Sequence, residues 1–281
     1  MWRSLDNPVA AQAGRGTRGW RLAGAVAALV AVLVLATGLL QQYWYQYDIY
    51  VGRRPHLYYR WFLLLAAAEA LLLPPWSGIR AAALWQRLRD QGHLDEYRRT
   101  RLSSLAIVLG TVGASLKPQA LCLALSTALG AVAALGYDGS VTVAQVVAAH
   151  AVVLVICAAF AAAGQALASR LRLAAAAAGG CVALMLLATG GVALLTPFYR
   201  TLGAPAGWIY AALLPNPVAA VAAALNWDVL RTPWLYEMLQ AADYAGAARV
   251  TPWPGETALL YAVAGAVILG GHAGRLRRLK E

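Results

Sequence analysis

VVAAHAVVLVICAAFAAAGQAL, Val146–Leu167, runs for 22 residues without a Lys, Arg, Asp or Glu and is closed by Arg170 and Arg172. As a helix it is about 33 Å long, enough to cross a hydrocarbon core of about 30 Å. An uncharged run of that length with a basic stop reads as a membrane span. Five further stretches follow the same pattern: Leu22–Leu40, Trp61–Ile79, Gln119–Gly136, Leu173–Leu195 and Glu256–Ala273. The sequence therefore predicts an all-α polytopic membrane protein, one transmembrane domain over residues 1–281 with six transmembrane helices.

Composition agrees. The chain is 61% hydrophobic and 12% charged, outside the range of soluble domains. Its net charge of +11 by itself suits a nucleic-acid binder, but the placement of the charge argues against one. Arg3, Arg15, Arg18 and Arg21 precede the first span. Arg80, Arg87, Arg89, Arg98, Arg99 and Arg101 follow the second. Arg170 and Arg172 link the fourth to the fifth, and Arg275, Arg277, Arg278 and Lys280 form a basic tail over residues 274–281. With six spans, all four groups fall on one side. The positive-inside rule makes that side the cytoplasm and puts both termini there. Membrane lipids, and anionic headgroups in particular, are the expected contacts of these residues. A bacterial inner membrane is the expected location.

The first span is too long for a typical signal-peptide core, and no small-x-small site follows Gln41. Cys122, Cys157 and Cys181 all fall within predicted spans without metal-ligand spacing, so they read as small apolar filler. Residues 1–20 are a cytoplasmic interfacial lead-in, with Asp6 and Asn7 ahead of Pro8 as a helix start. Tyr43, Trp44, Tyr45, Tyr47 and Tyr50 give the first outer loop an aromatic character suited to headgroup anchoring.

The cytoplasmic loop 80–104 reads as a helical continuation to Arg89, a break at Gly92 and a second helix from about Asp95. The apolar run after Leu102 then merges with the third span across Lys117 and Pro118, where a kink is expected. The outer loop 196–255 holds two short apolar runs, Trp208–Leu214 and Val218–Leu225, split by Pro215-Asn216-Pro217. Each is too short to cross, so re-entrant or interfacial helices are expected between the fifth and sixth spans.

Three segments in order carry a resemblance: Leu73-Pro74-Pro75; Arg89-Asp90-Gln91-Gly92-His93-Leu94-Asp95; and Thr100-Arg101-Leu102-Ser103. With Asn7-Pro8 ahead of the first span and Leu214-Pro215-Asn216-Pro217 ahead of the sixth, the chain resembles the type-2 ABC exporter permeases over essentially its whole layout. Leu88 stands where that pattern has its leading acid, His93 where it has threonine, and Gly110-Thr111 where it often has Gly-Lys. Subfamily and cargo stay open.

The resemblance implies a permease subunit that pairs with a second permease subunit and couples to a separate nucleotide-binding ATPase, which would hold ATP and Mg. The coupling residues it implies are Arg89, Gly92, His93, Leu94, Asp95, Glu96, Arg98, Arg99, Thr100 and Ser103. No G-x-x-x-x-G-K-[ST] phosphate loop occurs, so the chain is not expected to split ATP by itself or to bind a cofactor of its own.

Glu69 lies inside the second span, where an ionised side chain costs about 2.5–3.5 kcal/mol on insertion scales. It reads either as a pathway carboxylate or proton relay, or as an interhelical hydrogen-bonding group. Lys117 reads as snorkelling to an interface or lining the route. His150 reads as interfacial packing with no His, Cys or acid nearby. Two other classes remain: a polytopic membrane enzyme, for which Ser126 and His150 are the nominees, and a gradient-driven carrier using Glu69.

Overall fold

The computed structural model describes residues 57–99, 102–136, 141–171, 173–202, 206–227 and 251–278, with seven helical residues between Ala28 and Gln42. The lead-in, most of the first span, the aromatic loop around Tyr43 and Tyr50, Thr100, residues 228–250 and Lys280 lie outside them. Among the described residues all regular structure is helical. We label the helices α1 Leu57–Asp90, α2 His93–Arg99, α3 Ser104–Gly136, α4 Val143–Leu171, α5 Ala174–Leu202, α6 Ala206–Leu213, α7 Pro217–Ala224 and α8 Pro254–Arg278.

Five of these are long and apolar enough to cross a membrane: α1 from Trp61, α3, α4, α5 and α8. The pair Gly207–Leu213 and Pro217–Ala224, bent by 96°, meets the same test as one broken span or a re-entrant loop. The chain is a multi-pass membrane protein.

Several predicted boundaries move outward. The fifth span continues as helix to Leu202, so the segment after Thr196 is not loop at its start. The basic tail is helical to Arg278. The second cytoplasmic helix starts at His93 rather than Asp95. Each helix runs past its apolar run for the same reason. Once a helix is propagating, each added residue closes one more backbone hydrogen bond, and the arginines that end the hydropathy signal are themselves good helix formers.

α4 is the central helix and touches α1, α3, α5, α7 and α8. Among the described residues its contact with α1 is the most extensive. A Cβ on Gly164 would sit 2.1 Å from Gly78 O, and one on Gly78 would sit 2.6 Å from Cys181 Sγ. Bare glycine on both helices is what lets the backbones approach, as small residues do at membrane helix crossings. Next to Gly78, the Ser77 hydroxyl lies 2.7 Å from both Pro74 O of its own helix and Cys157 O of α4, so one proton serves a carbonyl on each side of the interface. α1 passes through Pro74 and Pro75, which have no N–H to donate, beside this polar cross-link.

Two cores flank the crossing. On the outer side Phe62, Ala66, Leu73, Cys122, Val146 and Val153 pack with Val221 and Leu225 of the α7 region. On the other, Trp85, Leu88, Ile107, Val108 and Leu276 pack with Leu94 and Tyr97 of α2. Outward faces stay apolar: Leu129, Val132 and Leu135 of α3 and Val263 and Val267 of α8 are exposed. Exposed aliphatic rows of this kind suit hydrocarbon as the solvent.

The Leu214-Pro215-Asn216-Pro217 turn is fastened to its surroundings. Asn216 caps α7, its Oδ1 accepting from Val218 N and Ala219 N, while Nδ2 donates to Thr189 O on α5. Thr257 and Tyr261 of α8 donate their hydroxyls to Leu214 O (2.9 Å) and Pro215 O (2.6 Å). Val218 N and Ala219 N, which would serve Leu214 O and Pro215 O in a continuous helix, are taken by the Asn216 side chain, so these two carbonyls are satisfied from α8 instead.

Candidate functional site

Two places concentrate functional chemistry. The first is buried. Glu69 is fully enclosed in the bundle, and its Oε2 lies 3.0 Å from Nε2 of His150. Glu69 is about 12 Å along α1 from Trp61, and His150 about 10 Å along α4 from Val143, so the two meet at similar depth. The reading of His150 as interfacial packing with no acid nearby is therefore corrected: its partner is an acid 81 positions back in the sequence.

The proton inventory of this pair is constrained. His150 Nδ1 lies 2.8 Å from Val146 O, a carbonyl that can only accept, so Nδ1 carries a hydrogen. Nε2 then either accepts from a protonated Glu69 or, charged, faces its carboxylate. In either form the pair carries no net charge, which removes most of the cost of a carboxylate in the membrane. The 3.0 Å approach is off-axis. Among the described residues neither oxygen of Glu69 nor His150 Nε2 makes an aligned hydrogen bond.

Ser126 stands near this level. Gly130, one turn outward on α3, abuts Val146 and Phe62, which lie one turn outward of His150 and about two turns outward of Glu69. Thr111, Ser115, Thr127, Ser169 and Thr189 all return their hydroxyls to a carbonyl of their own helix. Ser126, fully buried, has no hydrogen-bond partner among the described residues. Cys122 and Cys157 lie within electrostatic reach of Glu69.

This is not a hydrolase arrangement. A catalytic histidine needs one nitrogen for the acid and the other for the nucleophile. Here Glu69 holds Nε2 and Val146 O holds Nδ1. Among the described residues no three His, Cys, Asp or Glu are grouped to hold a metal ion. Lys117 is exposed on α3, apart from this pair.

The second place is the α1–α2–α3 corner. Arg89, in the last turn of α1, donates Nη2 to Gln86 Oε1 and sits beside Asp90. Gly92 turns the chain with φ of 74°, a left-handed conformation that suits glycine, and its carbonyl accepts from Asp95 N and Glu96 N. His93 Nδ1 meets Glu96 Oε2 at 2.9 Å. Leu94 and Tyr97 point inward and are buried. Burial, and then the Glu96 carboxylate, push the Tyr97 phenol above its ordinary value. Asp95, Glu96 and Arg99 are exposed, and Arg98 is helical. Ser103 caps α3, its Oγ accepting from Ala106 N at 3.1 Å. Thus Arg89, Gly92, His93, Leu94, Asp95, Glu96, Arg99 and Ser103 gather at one corner, remote from Glu69.

α1 and α3 are about 51 and 50 Å long at 34 and 33 residues, against a core of about 30 Å. Each is therefore about 20 Å longer than that core.

Sequence reasoning missed the Glu69–His150 contact and the fastening of Pro215 by Tyr261. Matching the depth of polar residues across spans would have found the first; nothing in the sequence pattern marks the second. Compared with known proteins, the chain matches no protein-family model, no curated protein and no solved structure.

Proposed function

We propose that the chain is the membrane-spanning permease subunit of an ATP-driven exporter, coupled through α2 to a separate nucleotide-binding subunit and paired with a second permease subunit. One observation carries the reading. A seven-residue helix, with Leu94 and Tyr97 buried and Asp95, Glu96 and Arg99 exposed, joins two helices that are each about 20 Å longer than a hydrocarbon core. Such a part transmits force: pushing α2 moves α1 and α3 together, because its buried face is packed among Trp85, Ile107 and Val108. The likeness of Arg89–Ser103 to the exporter permeases supports the same assignment. In this reading the bent α6–α7 pair is a re-entrant element on the outer side, six spans are completed by Leu22–Leu40, and both termini are cytoplasmic.

The test is purification of the tagged full chain from its native membrane in mild detergent. A P-loop ATPase should co-purify and be released by substitutions at Asp95, Glu96 and Arg99. A chain that emerges without one sinks the reading.

One observation favours a second reading, a proton-linked carrier: the Glu69–His150 pair holds a shareable proton within the bundle. Glu69→Gln separates the two. It abolishes transport by a proton carrier and leaves ATP-driven transport in place.

A further inference from the structure

Between α4, α5 and α8 two cavities of about 410 and 420 Å³ meet at Ala163, Leu184 and Ile268 and form one groove along the bundle. Its outer end is apolar and reaches Pro215 and Tyr261. Its other end is bordered by Arg170 of α4, and by His272 and Arg275 of α8. From Tyr261 to Arg275 the α8 axis rises about 21 Å, more than one leaflet's half of the hydrocarbon core. Arg275 lies about 31 Å along α8 from Pro254, which puts it at headgroup level when Pro254 marks the opposite boundary.

The basic end is a built site. Arg170 and Arg275 are both exposed into it, and among the described residues neither has an acidic partner. The charges of both arginines bear on His272. His272 is 6% exposed, braced edge-on against Trp85 at 4.7 Å, with Nδ1 3.3 Å from Ser169 Oγ. Its Nε2 is buried and has no hydrogen-bond partner among the described residues. Two arginines without acidic partners among the described residues, at the mouth of an apolar groove, match one kind of ligand. Asp95 does not line this groove; it lines a cavity of about 360 Å³ that His272 and Arg275 also border.

We propose that this groove holds an anionic phospholipid, its phosphate between Arg170 and Arg275 and an acyl chain lying over Ala163, Leu184 and Ile268. The assignment is independent of any coupling to an ATPase. Charge complementarity selects the headgroup, since an arginine at the membrane surface favours anionic lipid by about fivefold and two by about thirtyfold. The length and apolar lining of the groove select a chain-bearing ligand over a free anion.

The experiment is native mass spectrometry of the full chain in detergent, titrated with phosphatidylglycerol or phosphatidylcholine of the same acyl chains. The wild type should prefer phosphatidylglycerol, and R170Q/R275Q should lose about thirtyfold of that affinity while binding phosphatidylcholine as before. R170K/R275K, which keeps the charge, should retain the preference. Ala163→Trp, which fills the groove and leaves the arginines, should weaken both lipids, and it tests the site if the glutamine variant does not fold. Equal binding of phosphatidylglycerol by wild type and R170Q/R275Q overturns the proposal. So does inorganic phosphate raising the melting temperature of the wild type as much as the lipid does, which makes the site a free-anion site. Loss of self-association instead of lipid in Ala163→Trp also overturns it, assigning the groove to a second copy of the chain.

Discussion

Glu69 of α1 and His150 of α4 face each other at 3.0 Å, both buried inside the bundle, with Cys122 and Cys157 within electrostatic reach of the carboxylate. Two magnitudes decide what this contact is worth. Breaking a buried ion pair by removing one partner costs about 3–5 kcal/mol, whereas polar pairs between membrane helices average about 0.6 kcal/mol and reach about 1.7. A neutral pair, with the proton on Glu69, belongs to the second class. A double-mutant cycle of Glu69→Leu and His150→Leu, read by denaturant unfolding in detergent, should give a coupling energy below about 2 kcal/mol. A coupling of 3 kcal/mol or more, by the same scale, marks a fully ionised pair.

The Gly78–Gly164 crossing gives a sharper stability prediction. A Cβ at Gly164 meets backbone, not a side chain that can swing away, so α1 and α4 must separate. Gly164→Ala should destabilise by about 1–3 kcal/mol or more, the range for overpacking. Gly179→Ala on α5 meets open space and should be neutral or stabilising by up to about 1 kcal/mol through helix propensity. Thermal melts of the two variants in one detergent check the contrast, and equal behaviour removes the close-crossing argument.

Asn216 offers a test of the bent α6–α7 pair. Its side chain accepts from two α7 amides and donates to Thr189 O, so Asn216→Ala loses both the cap and the tie to α5. Loss of the cap alone costs about 1 kcal/mol. Asn216→Asp keeps the acceptor and loses the donor, and should fall between wild type and alanine in melting temperature. If aspartate is as damaging as alanine, the tie to Thr189 outweighs the cap.

Legibility in the sequence followed the range of the interaction. Apolar runs such as Val146–Leu167 are local, and burial along one helix writes them directly into the chain, so both ends of α4 and the starts of α1, α5 and α8 were located to within about one helical turn. α3 was read as one long helix merging across Lys117 and Pro118, with only the part from Gln119 counted as the span, and it runs unbroken from Ser104. Gly92 was legible for the same local reason, since a left-handed residue between two helical patterns selects glycine. Glu69 was legible as a problem, a carboxylate needing an interior face, but not as a solution. Its partner sits on another helix, and a single sequence carries no record of which residues meet across a crossing. The Tyr261–Pro215 bond and the groove ending at Arg170 and Arg275 depend on three helices at once and are equally invisible.

The α2 corner permits a test that separates fold from coupling. Gly92 has φ of 74° and nothing within 4 Å of a built Cβ, so a side chain there meets no neighbour and acts only through the backbone. Alanine in a left-handed conformation costs about 1–2 kcal/mol, while asparagine is one of the few residues that tolerate it. Gly92→Ala therefore tilts or frays the start of α2, where Asp95 N and Glu96 N bond to Gly92 O, yet leaves the α1–α4 core untouched. If α2 is the lever between an ATPase and the spans, Gly92→Ala should lower transport-linked ATP hydrolysis several-fold with a small change in melting temperature, and Gly92→Asn should restore most of it. A fully coupled Gly92→Ala would show that α2 orientation does not matter, and the α2 corner would then be a solvated turn and not a docking part.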